Sequence, residues 1–208
     1  MLELASQLIN PVAKILDKVI PDRIEAGSYI LATMATKGRL KLNNFNPKDL
    51  ALPLKLYKGM GLKIKKLSNS SYEIYCKTLK PIKKISTKEF PGYPTDLQAQ
   101  LIATQLKSGL KSKVVENIFE NRFIHIPELR RFGANLSIKG NTVTIDKTSN
   151  LLGAEVMATD IRASFSLIIA AMMSKGKTVI NRIYHLDRGY EDFDLKLKKC
   201  GVNISRKK

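Results

Sequence analysis

Two cysteines in 208 residues, Cys76 and Cys200, are too few for a disulfide framework and match no metal-ligand spacing. Long hydrophobic runs are missing too: the longest, Leu167 to Met173, falls far short of the ~20 residues a membrane-spanning helix needs. The first residues do not read as a secretory leader, because Glu3, Lys14, Asp17 and Lys18 break the apolar pattern and no basic region precedes it. Acidic residues are scarce, 18 against 36 basic ones, for a net charge of +18. Such an excess either serves a polyanionic partner or reflects lysine used wherever any solvated residue would do. The basic residues are spread along the chain, with no nucleic-acid-binding motif and no interleaved aromatics on which bases could stack. Neither nucleic acid nor a membrane is therefore expected as a partner, whereas a small, highly anionic substrate would suit the charge. An apolar content of 44% is that of a globular protein, and a cytoplasmic one is the expectation.

What is present is a repeat. Three segments open on an aspartate beside a polar or basic residue: Asp22-Arg23, Asp96-Leu97-Gln98 and Asp160-Ile161-Arg162. A mostly apolar helical stretch follows each and ends at Gly38, Gly109 or Gly176, where glycine suits a helix C-terminal cap with positive φ. Short alternating strands come next, Arg39 to Leu42, Ser112 to Val115 and Thr178 to Ile180. A second helical segment then leads to Gly61, Gly133 or Gly201 and a further alternating strand. Both glycine sets recur with a period of about 70 residues, which marks an internal repeat. In the first two units the last strand turns back as a hairpin, through Ser68-Asn69-Ser70-Ser71 and Lys139-Gly140-Asn141. The third unit has no returning strand before Lys208, so another segment is expected to cover that edge.

Ala163 to Met173 is apolar on nearly all sides, the mark of a helix buried all round. A parallel-sheet fold would instead show buried strands and amphipathic helices. The inferred fold is therefore α/β (α+β): three buried helices surrounded by half-exposed sheets. Met1 to Ile20 forms a separate helical candidate, with Leu4, Leu8, Val12, Ile15 and Val19 on one face and a break at Pro11.

Five local motifs follow in order: Pro21-Asp22-Arg23-Ile24-Glu25-Ala26-Gly27, Pro91-Gly92-Tyr93-Pro94-Thr95-Asp96-Leu97-Gln98-Ala99-Gln100, Phe119-Glu120-Asn121-Arg122-Phe123-Ile124-His125, Val156-Met157-Ala158-Thr159-Asp160-Ile161-Arg162-Ala163 and Ile183-Tyr184-His185-Leu186-Asp187-Arg188-Gly189-Tyr190-Glu191. Together they resemble the C-terminal domain of the UDP-N-acetylglucosamine enolpyruvyl transferases (1-carboxyvinyltransferases) of peptidoglycan synthesis. The shikimate-pathway enolpyruvyl transferases share the repeat but use different local motifs. The resemblance implies an inside-out α/β barrel of three βαβαββ-like repeats, at about residues 21–90, 91–155 and 156–208. It implies that 1–20 is a helical remnant or linker from a missing N-terminal domain and that 21–208 is the C-terminal domain.

The resemblance further implies a reaction in which the enolpyruvyl group of phosphoenolpyruvate passes to the 3′-hydroxyl of UDP-N-acetylglucosamine with release of phosphate. Addition and elimination proceed without metal or organic cofactor. Such chemistry needs a base for the hydroxyl proton and fixed positive charge for phosphate and carboxylate. By motif match Asp96 is the sugar-binding carboxylate and general base, although an aspartate in Pro-Thr-Asp is also a good helix N-cap. Arg122, Arg162 and Arg188 match the arginines around phosphoenolpyruvate and the transition state, a role for which bidentate, permanently charged guanidinium groups are suited. Taken singly, each would read as a solvated or salt-bridged surface arginine. Ile118 and Phe119 match the segment against the nucleotide-sugar, the first through its backbone. Asp160 and Ile161 match the segment beside the catalytic arginine. Arg23, Glu25, Thr95 and Glu120 match supporting positions, and His125 and His185 read as packed or hydrogen-bonded histidines.

The family's N-terminal domain, with its mobile loop, reactive cysteine and most uracil contacts, has no counterpart in these residues. Cys76 falls in a strand and Cys200 in an amphipathic helix, as structural cysteines do. A chain of this content is expected to need a complementary domain for turnover. The alternative is a non-catalytic remnant or binding module of the same fold.

Overall fold

The computed structural model describes residues 2–5 and 22–207 of the chain. At its centre lie three helices, α1 (Arg23–Ala35), α3 (Gln98–Gln105) and α5 (Ile161–Met173), each packed against the other two. Every residue of α3 is buried, as are Gly27 to Ala35 in α1 and Ala163 to Ala171 in α5. The first and last achieve this with apolar and small side chains. Helix α3 carries three glutamines and one threonine, several of whose polar groups find partners: Thr104 Oγ1 donates to the Gln100 carbonyl at 2.8 Å. Gln105 Oε1 accepts from the Ile82 N–H at 2.9 Å and from Ser112 Oγ at 3.0 Å. Such bonds make buried polar groups tolerable, although Gln98 Nε2, Gln100 Oε1 and Gln105 Nε2 have no partner among the described residues.

Three sheets surround these helices. The first has the order β2–β4–β3 (Arg39–Leu42, Tyr72–Cys76, Leu62–Lys66). The second runs β5–β6–β8–β7 (Lys84–Ser86, Ser112–Val115, Thr142–Ile145, Leu136–Lys139). In both, the strand returning from the hairpin, β4 or β8, lies in the middle and pairs antiparallel on both sides. Short helices α2 (Ala51–Gly59) and α4 (Ile126–Arg131) link the strands of each unit. This is the α/β architecture of three repeats around buried helices that the sequence implies.

The third sheet has the order β11–β1–β10–β9, with β9 at Glu155–Met157, β10 at Lys177–Asn181 and β11 at Asn203–Arg206. Helices α6 (Tyr184–Asp187) and α7 (Phe193–Lys199) connect β10 to β11. Its middle strand comes from the other end of the chain: β1, Leu2–Ala5, pairs antiparallel with both neighbours. Leu2 lies opposite Ile180 and Arg206, and Ala5 opposite Lys177 and Asn203. The strand missing from the third unit is thus supplied from within the chain. The helix expected over Met1 to Ile20 is corrected at Leu2–Ala5, where two antiparallel edges outweigh the helical spacing of Leu4. Residues 6–20 of that candidate lie outside the described residues.

A smaller correction concerns the first glycine cap. Gly109 and Gly176 adopt positive φ, 89° in each, in turns just beyond α3 and α5. After α1 the left-handed residue is Lys37, at φ 54°, and not Gly38. Gly61, Gly133 and Gly201 are all positive, at 111°, 84° and 87°.

Candidate functional site

The three central helices present their N-termini at one end. Ser28 of α1 meets Gln100 of α3, and one turn further along Leu31 meets Thr104, so the two helices run in the same direction. Tyr29 of α1 packs edge-on against Phe165 of α5, with ring centroids 5.5 Å apart, and Arg162 in the first turn of α5 lies 3.9 Å from Asp22, the N-cap of α1, so α5 starts at the same end. Parallel helices bring three partial positive charges, about half an elementary charge each, to a single end. Anions are favoured there.

The repeat also brings its three aspartates to this end, and they behave differently. Asp22 Oδ1 accepts from the Ile24 N–H at 2.7 Å, and Asp160 Oδ1 accepts from the Arg162 and Ala163 N–H groups at 2.8 Å each. Both are N-caps. Asp96 lies inside a short 3-10 turn, Thr95–Leu97, whose N-cap position is Pro94, and makes no capping bond there. Its Oδ1 accepts instead from Arg122 Nη2 at 2.8 Å. The capping role that the Pro-Thr-Asp sequence allows is absent, which leaves this carboxylate directed at an arginine. Asp96 is 39% exposed and Arg122 24%, so both remain within reach of a ligand.

Arg122 is also stacked on the ring of Phe119, 4.9 Å from its centroid. It follows Asn121, whose left-handed backbone (φ 53°) turns the chain there. Ile118, Phe119, Glu120 and Arg122 line an open cleft of about 820 Å³ with the β7–β8 turn at Gly140 and Asn141. Phe119 and Glu120 are exposed.

Arg162 and Arg188 line a second open cleft, of about 850 Å³, with Asp22, Glu25 and Tyr190. Arg162 lies 5.6 Å from the Tyr190 ring centroid and 3.9 Å from Asp22 Oδ2, and its buried Nη1 has no hydrogen-bond partner among the described residues. Arg188 is exposed at the C-terminal end of α6. Gly189 follows and lies so close to α5 that a Cβ there would collide with Ile161 Cγ2. That approach seats Arg188 and Tyr190 beside Arg162.

Arg122 and the Arg162–Arg188 pair thus line separate clefts, and buried side chains that sequence reasoning missed run from Asp96 to the second. Tyr190 OH lies 2.9 Å from Ser28 Oγ, and Gln100 Nε2 donates to Tyr190 OH at 3.2 Å, to Ser28 Oγ at 3.1 Å and to the Asp96 carbonyl at 2.9 Å. One side chain from each repeat meets here, and the network joins the backbone of Asp96 to the phenol beneath Arg162. Burial keeps that phenol neutral by raising its pKa, only partly offset by the hydrogen bond with Ser28 and the charge of Arg162. Gln100 and Tyr190 fall inside quoted motifs, so proximity to an arginine or aspartate was their only signal; Ser28 carried none.

Supporting residues are engaged within the chain. Glu25 pairs with Lys196 of α7 at 2.9 Å, Arg23 stacks over Phe90 at 5.5 Å, and Thr95 Oγ1 donates to Glu116 at 2.8 Å. His125 is fully buried, neither ring nitrogen has a hydrogen-bond partner among the described residues, and burial pushes its pKa from 6.5 to about 4 against the pull of Asp160. Cys76 and Cys200 are buried free thiols, both pushed up by burial, the second to about 11. Among the described residues there is no cluster of side chains able to hold a metal ion and no helix long and apolar enough to cross a membrane.

Comparison with known proteins adds the following. Residues 4–197 match the family model of EPSP synthase (3-phosphoshikimate 1-carboxyvinyltransferase). A UDP-N-acetylglucosamine 1-carboxyvinyltransferase of Pelagibacter ubique is 48% identical over 200 residues, 95% of this chain and 47% of that protein. Its counterpart in a Nitratiruptor species is 47% identical over 90% of this chain and 44% of its own length. Among solved structures, the enolpyruvyl transferase NikO from Streptomyces tendae superposes with a TM-score of 0.79 at 26% identity, over 89% of this chain and 44% of that one. EPSP synthase from Acinetobacter baumannii shares the fold, with a TM-score of 0.66 at 14% identity. The chain spans about half the length of the curated relatives it matches.

Proposed function

The chain belongs to the EPSP synthase (3-phosphoshikimate 1-carboxyvinyltransferase) family, and on that premise we propose that it is the C-terminal half of a UDP-N-acetylglucosamine enolpyruvyl transferase. Two considerations favour the nucleotide-sugar as acceptor: the curated relatives at 47–48% identity carry that name, and the likeness to solved EPSP synthases is one of fold. The observation that carries the reading is the different fate of the three equivalent aspartates. Two cap their helices, Asp22 also lying 3.9 Å from Arg162, while Asp96 makes no capping bond and is turned onto Arg122.

In this reading Asp96 takes the proton from the sugar 3′-hydroxyl as the hydroxyl oxygen bonds to C2 of phosphoenolpyruvate, while C3 takes up a proton from an acid that the complementary domain would supply; loss of a C3 proton and departure of phosphate from C2 then restore the double bond in the product. Arg122 orients the carboxylate until substrate arrives, and a partly exposed pair of this kind can be opened at modest cost. Arg122, Arg162 and Arg188 then bind the phosphate and carboxylate of phosphoenolpyruvate, and they stabilise the charge that develops on addition and on loss of phosphate. Ile118, through its backbone, and Phe119 lie against the nucleotide-sugar, while Asp160 and Ile161 form the wall beside Arg162. Arg23, Glu25, Thr95 and Glu120 support these groups. The product would feed peptidoglycan synthesis in the cytoplasm.

Both clefts are open, and half a site loses the orientation and water exclusion on which turnover depends. Phosphate release from phosphoenolpyruvate and UDP-N-acetylglucosamine should therefore be undetectable for the chain alone. It should appear on mixing with the separately expressed N-terminal half of the Pelagibacter relative. Turnover by the chain alone would overturn the need for a partner domain. A folded mixture without turnover would overturn the assignment.

A further inference from the structure

Glu116 is an acidic side chain only 3% exposed in a chain of net charge +18, yet no lysine or arginine pairs with it among the described residues. Hydrogen-bond donors surround it instead. Its Oε1 accepts from Thr87 Oγ1 at 2.8 Å, from the Ile118 N–H at 2.9 Å and from the Phe119 N–H at 3.2 Å. Its Oε2 accepts from Thr95 Oγ1 at 2.8 Å. A carboxylate can be buried without a counter-ion only when donors replace its hydration in this way.

The donors come from three separate parts of the chain. Thr87 follows β5, Thr95 immediately precedes Asp96, and Ile118 and Phe119 open the loop that ends in Arg122. Neighbouring bonds reinforce the clamp. The Asn117 N–H donates to Thr87 Oγ1 at 2.8 Å, and the Glu116 N–H donates to the Asn141 carbonyl at 2.8 Å, which ties in the β7–β8 turn. Asp96 and Arg122, 26 residues apart, are thereby fixed to a common anchor, one through Thr95 and the other through the 118–122 backbone.

We infer that Glu116 is a positioning residue that sets the geometry of the Asp96–Arg122 pair. Its role in a reaction rests on the proposed transferase function; its control of the pair does not. Glutamine is the informative replacement. Its oxygen retains the three bonds at Oε1, and its amide N–H can donate to Thr95 Oγ1, whose hydroxyl is able to reverse. Alanine loses all four bonds.

The test uses the 208-residue chain without substrates and reads two NMR signals. Amide hydrogen exchange at Ile118 and Phe119 follows the clamp, and the Arg122 guanidinium resonances follow its ion pair, with Asp96→Asn giving the unpaired reference. In Glu116→Ala, exchange at both amides should rise at least about tenfold, what losing a hydrogen bond of ordinary net strength gives. The Arg122 resonances should move to the Asp96→Asn positions, while α5 amides stay protected. Glu116→Gln should retain both wild-type signals. Should Glu116→Ala fail to fold, Thr95→Val tests the Oε2 arm alone: the Arg122 resonances should shift with Ile118 and Phe119 still protected. Unchanged Arg122 resonances in the folded Ala or Val variant, or a Gln variant behaving like Ala, would overturn the inference. Neither signal depends on turnover, so a negative phosphate-release assay leaves this result standing, and the reverse holds too.

Discussion

At the scale of single residues, the site is surrounded by groups whose surroundings decide their charge. His125 shows this most clearly, being fully buried beside the Arg122 loop with both ring nitrogens unpaired among the described residues. Burial lowers its pKa to about 4, whereas the unfolded imidazole titrates near 6.5. The unfolded chain therefore binds this proton first as pH falls. The corresponding stability is intact above about pH 6.5, declines through the window below it and is exhausted below about pH 4. A shift of this size is worth about 3 kcal/mol across the window. Urea unfolding between about pH 7 and pH 4 should show that decline in the wild type and a flatter curve in His125→Leu. Parallel curves would mean that the imidazole finds a partner in solution. The sequence places His125 in a motif and supports a packed histidine, but not its complete burial with both ring nitrogens unpaired among the described residues, which depends on how distant parts of the chain pack around it.

At the scale of elements, local pattern made most of the fold readable. Alternation located β2, β3, β4, β6, β7 and β8, and in β2, β4 and β8 buried side chains do alternate with more open ones. Strands β5 and β9 escaped because three residues are too few to establish a period. The junction of Ser28, Gln100 and Tyr190 was not legible either, since 72, 90 and 162 residues separate its members in pairs. Close approaches between elements are equally silent in sequence, and two glycines near the helix N-termini make the point. A Cβ at Gly27 would meet Leu97 Cδ1 at 2.6 Å, the movable end of a flexible side chain. One at Gly189 would run into Ile161 Cγ2, a methyl fixed on a β-branched residue in the first turn of α5. Gly189→Ala should accordingly cost about 2 kcal/mol or more in urea unfolding, and Gly27→Ala about 1 kcal/mol or less. Equal costs would show that the α6–α5 contact yields as readily as a leucine tip.

At the scale of the whole molecule, the three units are alike in architecture and unlike in how they are closed. Units one and two each fold their own hairpin strand into the middle of a sheet. Unit three borrows β1 from the opposite end of the chain, so its sheet forms only when the first and last described residues come together. Without β1, the facing edges of β10 and β11 would hold unpaired N–H and C=O groups, the arrangement that invites pairing with another molecule. Deleting residues 1–5 should therefore act on one sheet and spare the others. Four paired residues lost on both sides imply about 4 kcal/mol, or about 10 °C of melting temperature for a chain of this size. Hydrogen exchange should accelerate in Lys177–Asn181 and Asn203–Arg206 while Tyr72–Cys76 keeps its protection, and size-exclusion chromatography should show self-association through the opened edge. The clefts register the change as well, because β10 leads into α6, which carries Arg188, and β11 carries Arg206, paired with Asp187 of α6 and Asp194 of α7. An unchanged melt with unchanged exchange in β10 and β11 would show that the third sheet closes without its borrowed strand, and the Arg162–Arg188 cleft would then owe nothing to the chain's first residues.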